Sequence, residues 1–298
     1  VKGFVAILAE AIEDRPALEA LSLPDDMLER MGLAEVLGIR AHRVIATAFA
    51  ISGLLAGATA AQNIALGSTQ TVAVGGQAIN ALKFGGSYAV NFANGTDTLN
   101  IVSGGIVTAS SGTSINNGRL TAGALNATGL QNLYIHANSQ NLALNATIVD
   151  NSANAPVRLV TAFYNNSGGV TMTAPNTYTG GTVFQGWGTD AATHGATLNG
   201  SAGVVVIPAG GLTITNTNVT MTNSAGQIDP SNIVTINGGA TLSLFGSNTL
   251  AKLVFNNDGG ARTPFINTSG LLTLPTSANP VIVAGGSLYG TVPDLRGQ

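Results

Sequence analysis

Gly210-Gly211-Leu212-Thr213-Ile214 sets two glycines directly before an alternation of apolar and hydroxyl side chains. The same grammar returns at Gly238-Gly239-Ala240-Thr241-Leu242 and at Gly168-Gly169-Val170-Thr171-Met172. Glycine adopts positive φ without steric cost, so a doubled glycine lets the chain turn sharply. In the strand that follows, every second side chain points to the same face. Gly-Gly pairs begin at Gly75, Gly85, Gly104, Gly168, Gly180, Gly210, Gly238, Gly259 and Gly285. Between them lie short runs at 71–74, 98–102, 142–149, 158–163, 204–207, 212–221, 233–236 and 252–255, dominated by Thr, Val and Ile. That is strand chemistry, and no run has the length and 3.6-residue period of a stable helix.

Recurrence at irregular intervals of roughly 20 to 30 residues describes a stacked solenoid. A β-sandwich would show turns every ~8–12 residues, without doubled glycines. The expected fold is therefore all-β, a parallel β-helix in which each coil hydrogen-bonds to the next at about 4.8 Å. The body beyond residue 61 predicts on the order of ten coils and a rod roughly 50 Å long. Asparagine pairs such as Asn116-Asn117, Asn165-Asn166 and Asn256-Asn257 predict amides stacked up and down at equivalent corners.

Composition narrows the function. Charged residues make up 8% of the chain, against a usual ~25%. The charge is also uneven, because no Glu follows Glu35 and Lys recurs beyond it only as Lys83 and Lys252. Such a surface offers no basic stripe for phosphates, so nucleic acid is not an expected partner, whereas self-association is. With no Cys in the chain, disulfides, thiolate nucleophiles and cysteine-based zinc sites are excluded.

The beginning of the chain reads as an address. Arg40, His42 and Arg43 form a positive segment, residues 44–55 an apolar run, and Ala58-Thr59-Ala60 a small-residue cleavage site, which together predict a signal peptide cut before Ala61. Counted from Met31, the signal peptide spans residues 31–60. Residues 1–30 read as an upstream extension of the reading frame or a leader, with helical spacing at Ile7, Leu8, Ala11 and Ile12. The exported body is then 61–298.

Within that body, residues 168–183, Gly-Gly-Val-Thr-Met-Thr-Ala-Pro-Asn-Thr-Tyr-Thr-Gly-Gly-Thr-Val, resemble the autotransporter-associated β-strand repeat, in which Asn176, Thr177, Tyr178, Thr179, Gly180, Gly181 and Thr182 form the hallmark. Looser likeness extends over 62–298, notably at 233–242 and 253–257. The resemblance implies a right-handed parallel β-helix passenger, carried out by export machinery and displayed at the outer membrane or released, as adhesins and surface filaments are. Read physically, Tyr178 supplies a large planar group to the coil interior and Gly180-Gly181 allows the next corner. No stretch before Gln298 shows the ten-residue amphipathic strands of a membrane barrel, so either the chain is a fragment or its attachment lies on another polypeptide.

Catalysis has little to stand on. Parallel β-helices host polysaccharide lyases and hydrolases, whose chemistry needs clustered acids. Here Asp97, Asp150, Asp190, Asp229, Asp258 and Asp294 are scattered along the body. His136 and His194 each stand without a second His or carboxylate at metal-ligand spacing. The sequence thus predicts no catalytic residue, metal or cofactor. Residues 184–194, with Trp187 and Asp190, read as a loop that leaves the rod and could meet a sugar or a protein of a host or neighbouring cell. The leading expectation is an exported structural or adhesive surface protein; the alternatives are a carbohydrate-active enzyme and a non-catalytic carbohydrate-binding module.

Overall fold

The computed structural model describes residues 57–108, 110–138, 140–164, 168–186, 194–256, 263–275, 279–284 and 294–297. The chain divides into two units, Val1–Ile51 and Ser52–Gln298, and all described residues belong to the second. The expectations for a helical leader and for the charged and apolar parts of the signal peptide fall outside the described residues, as do Trp187 and Asp190.

Among the described residues there are strands and no helix. Twenty strands join one sheet, and they wind as two ladders of ten. The first ladder stacks Asn63–Leu66, Gln77–Phe84, Thr98–Thr108, Gln131–Asn138, Val157–Tyr164, Thr182–Gly186, Leu212–Thr215, Ile233–Asn237, Lys252–Asn256 and Val281–Ala284. The second stacks Gln70–Val72, Ala89–Phe92, Thr113–Ala122, Asn141–Ile148, Gly169–Met172, Gly195–Leu198, Asn218–Met221, Thr241–Leu244, Phe265–Thr268 and Asp294–Gly297. Every pairing in both ladders is parallel, so the unit is a parallel β-solenoid. Nine steps separate the first strand of a ladder from its last, or roughly 43 Å at the usual strand spacing.

A third line of contacts closes the coil. Thr98–Ile101 pairs with Arg119–Ala122, and further along the Thr177 N–H donates to the Ile148 carbonyl (3.0 Å) and the Val206 N–H to the Gln227 carbonyl (2.8 Å). Asn248–Thr249 pairs with Leu272–Thr273 on the same line. Three lines of neighbour-to-neighbour bonding leave the backbone satisfied by adjacent coils, as a solenoid requires.

Alternation fills the interior. In Asn141–Ile148 the buried residues are Leu142, Leu144, Ala146 and Ile148, and the four between them face outward. Parallel pairing then stacks like on like: Leu142 meets Val170, which meets Ala196, then Val219 and Leu242. Each fully buried Leu or Ile contributes about 1.5–3 kcal/mol. Phe163 and Phe184 add an offset stack inside the coil, their centroids 6.4 Å apart.

Residues 212–221, expected as one run, are two strands. Asn216 adopts φ 47° between Leu212–Thr215 and Asn218–Met221, a conformation Asn tolerates better than most side chains. A corner can therefore form without any glycine. Amides do bond up and down a column at Asn116, but on the outward face of the second ladder's strands and not at corners; Asn165, Asn166 and Asn257 lie outside the described residues. Asn116 Nδ2 donates to Asn91 Oδ1 (3.1 Å), Asn145 Nδ2 to Asn116 Oδ1 (2.9 Å) and Thr173 Oγ1 to Asn145 Oδ1 (2.7 Å).

Candidate functional site

The segment Asn176 to Thr182 occupies one corner of the solenoid, and the side chains of Asn176 and Thr179 tie it to neighbouring coils. Asn176 is buried. Its Oδ1 accepts the Ile148 N–H (2.7 Å) from the coil before, and its Nδ2 donates to the Val206 carbonyl (2.7 Å) in the coil after. One side chain thus repairs two backbone groups where the ladder is interrupted. Tyr178 is fully buried, and its hydroxyl lies 2.6 Å from Thr182 Oγ1. Burial pushes the Tyr178 phenol well above its usual range, against the smaller opposing effect of the Thr182 hydrogen bond. Thr179 reaches down to Asp150, donating its N–H to Oδ1 (3.0 Å) and its hydroxyl to Oδ2 (2.8 Å). Gly181 has φ 88°, and a Cβ there would meet the Gly210 carbonyl oxygen at 2.5 Å. Only glycine lets the two coils approach at that point.

Asn176 is one case of a wider device. Gln227 Oε1 accepts the Gly200 N–H (2.6 Å), Asn232 Oδ1 the Gly211 N–H (2.8 Å) and Asn248 Oδ1 the Gly226 N–H (2.9 Å). All four amides are buried, and each takes an N–H from the preceding coil. Buried amides at corners therefore close the hydrogen-bond accounts of the backbone.

The acids follow the same logic. Asp150 also accepts the Val157 N–H (2.7 Å), which completes its corner with Thr179. Asp97 accepts the Gly75 N–H (2.9 Å), the Asn94 N–H (2.8 Å) and Asn94 Nδ2 (3.2 Å). The Gly75 bond leads in holding its carboxyl below the usual range; desolvation opposes this, and the two Asn94 bonds assist. Asp229 accepts the N–H and hydroxyl of Ser231. Each of these three is a corner clamp, and none faces a second carboxylate in these contacts.

His194 is buried, with Nδ1 3.1 Å from Thr217 Oγ1, while its Nε2 is buried without a hydrogen-bond partner. His136 lies on the opposite kind of surface. It is exposed, and its ring stacks on Tyr164 at a centroid distance of 6.3 Å. No group of three or more His, Cys, Asp or Glu able to hold a metal occurs among the described residues. Ala58 packs half-buried against the first coil, with its carbonyl accepting from Gln77 Nε2, and Ala60 is exposed. Both precede the first strand, Asn63–Leu66, so a cut before Ala61 would leave both ladders whole.

Two exposed aromatic residues, Tyr134 and Tyr164, were not singled out by the sequence reading. Their signal was the two-residue alternation itself: Leu133, Ile135 and Ala137 point inward, so Tyr134 and His136 must point out. No family model, curated protein or solved structure matches the chain.

Proposed function

We propose that this chain is an exported structural or adhesive rod of a bacterial surface, without a catalytic site of its own. The observation that carries the reading is how the chain spends its polar groups. Asp97, Asp150 and Asp229 clamp corners, the buried amides satisfy backbone, and the interior is mostly apolar from coil to coil. Such a molecule invests its chemistry in length and persistence. A right-handed winding accords with this, because twisted parallel strands favour right-handed crossovers. The likeness of 168–183 to the autotransporter-associated repeat supports the same reading, as does the small-residue site at Ala58 and Ala60. On this view the partners are the export machinery and glycans or proteins of other surfaces, and Trp187 and Asp190 remain candidates for contact.

The test has two arms. Expressed in a Gram-negative host, the protein should leave the cytoplasm and begin at Ala61 by N-terminal sequencing; uncleaved protein retained in the cytoplasm would reject export. Incubation with a panel of polysaccharides should release no reducing ends or unsaturated products. Turnover abolished by an Asp→Asn change would establish an enzyme instead.

A further inference from the structure

The first ladder segregates charge. Its ten strands contain no Asp or Glu, yet they carry Lys83, Arg158 and Lys252, three of the six Lys and Arg residues beyond residue 61, together with His136. On the same face, register brings aromatic rings together. Tyr134 and His136 alternate outward along Gln131–Asn138, and pairing of Asn138 with Tyr164 sets Tyr164 one coil further and diagonal to His136. Tyr134 and Tyr164 are 47% and 45% exposed, large values for rings in the middle of a solenoid.

Basic groups frame these rings. Lys83 is exposed and pairs in register with Val107, which pairs with His136, so all three share one outward column. Arg158 follows Asn132 two outward columns away, with the Tyr134 column between, and its Nε donates to Asn132 Oδ1 (2.9 Å), which holds the guanidinium on this face. From Arg158 to Tyr164 is six residues, roughly 20 Å along the strand, and Lys83 to Tyr164 spans three coil steps, roughly 14 Å.

We infer that this face binds an anionic polysaccharide, one that bears carboxylates on its sugar rings. The tyrosines and His136 offer rigid amphipathic surfaces for the C–H faces of sugars, with hydroxyls and ring nitrogens for their O–H groups. Arg158 and Lys83 supply the carboxylate partners, Arg through its planar fork and Lys as a point charge. The strands themselves carry no acid, and Asp97 and Asp150 at their edge are engaged by backbone N–H groups, which lessens the repulsion a polyanion would meet. The inference rests on the geometry of one face and stands whether or not the protein is exported.

Affinity electrophoresis and calorimetry of the full chain test it, with polygalacturonate as probe and dextran, polyglutamate and phosphatidylglycerol vesicles as comparisons. Polygalacturonate should bind and the other three should not. The pair Tyr134→Ala and Tyr164→Ala should weaken binding about tenfold or more, the range of an aromatic anchor. Lys83→Gln with Arg158→Gln should weaken it and flatten its dependence on salt. All four side chains point outward, so far-UV circular dichroism should be unchanged; should the tyrosine pair lose that signature, Tyr164→Ala alone carries the test. Absent binding, equal binding of dextran, polyglutamate or vesicles, or affinity indifferent to the tyrosines would each overturn the inference.

Discussion

Asparagine links coils in two regions of this molecule, and the two places ask different things of it. At Asn176 the amide is buried and bonds backbone groups of the coils on either side. In the column of Asn91, Asn116, Asn145 and Thr173 the bonds run between side chains on the outward face, where water can compete. The same functional group therefore has a structural veto inside and a modest vote outside. An unpaired buried polar group costs its full desolvation, whereas an exposed one exchanges its partner for solvent.

The comparison breaks first at Asn176. Asn176→Ala strands the Ile148 N–H and the Val206 carbonyl, at about 1–3 kcal/mol each, so a loss of about 3 kcal/mol is expected. Solenoid energetics are close to nearest-neighbour, and the loss should concentrate in the coils around 148, 176 and 206. Amide exchange resolved along the chain would display it as lost protection at Ile148 and Thr177; unaltered protection there would mean that the buried amide is dispensable. Asn176→Asp should recover little, because a carboxylate can accept from Ile148 but has no donor for Val206.

Thr161 sharpens the contrast from the other side. It is buried in the column between Ile135 and Phe184, and its hydroxyl has no hydrogen-bond partner. Thr161→Val keeps the shape and deletes the orphan, which should stabilise the protein by about 1 kcal/mol in denaturant unfolding. A destabilised variant would show that the hydroxyl is satisfied after all. Asn145→Ala removes two bonds from the outward column and should cost only about 0.5 kcal/mol, since solvent replaces much of what is lost. A cost equal to that of Asn176→Ala would erase the distinction between the regions.

Parity along a strand was legible in the sequence, because it depends only on alternation. Leu142, Leu144, Ala146 and Ile148 could be assigned to the interior on sight, and the glycines at 180–181 and 210–211 to corners. Neighbourhood between coils was not legible. Asn63 pairs with Ala81, 81 − 63 = 18 residues on, while Val183 pairs with Thr213, 213 − 183 = 30 residues on. Coils of such unequal length hide which residue stands above which. The diagonal meeting of His136 and Tyr164, the reach of Thr179 to Asp150 and the confinement of Lys83, Arg158 and Lys252 to one acid-free ladder all depend on that register. Asn216 was missed for a different reason: its positive φ makes a corner inside what reads as one continuous strand-forming run.

Asp97 extends the comparison to a charged clamp, with the smallest effect at neutral pH. Its carboxyl is held below the usual 3.8 chiefly by the Gly75 N–H, with help from Asn94, while desolvation pulls the other way. A carboxylate whose folded pKa is depressed adds stability that is present above its unfolded value and is lost as pH falls through the folded one. The contribution should therefore be complete at pH 6, begin to decline near the unfolded carboxylate range of about pH 4, and be lost only as the pH falls further, through the folded value. Asp97→Asn, which cannot ionise, supplies the reference. Its thermal midpoint should lie below that of the wild type at pH 6, and the gap should narrow as the pH falls below the unfolded carboxylate range. A gap that is constant through that fall would mean that the corner is held by the shape of residue 97 and not by its charge.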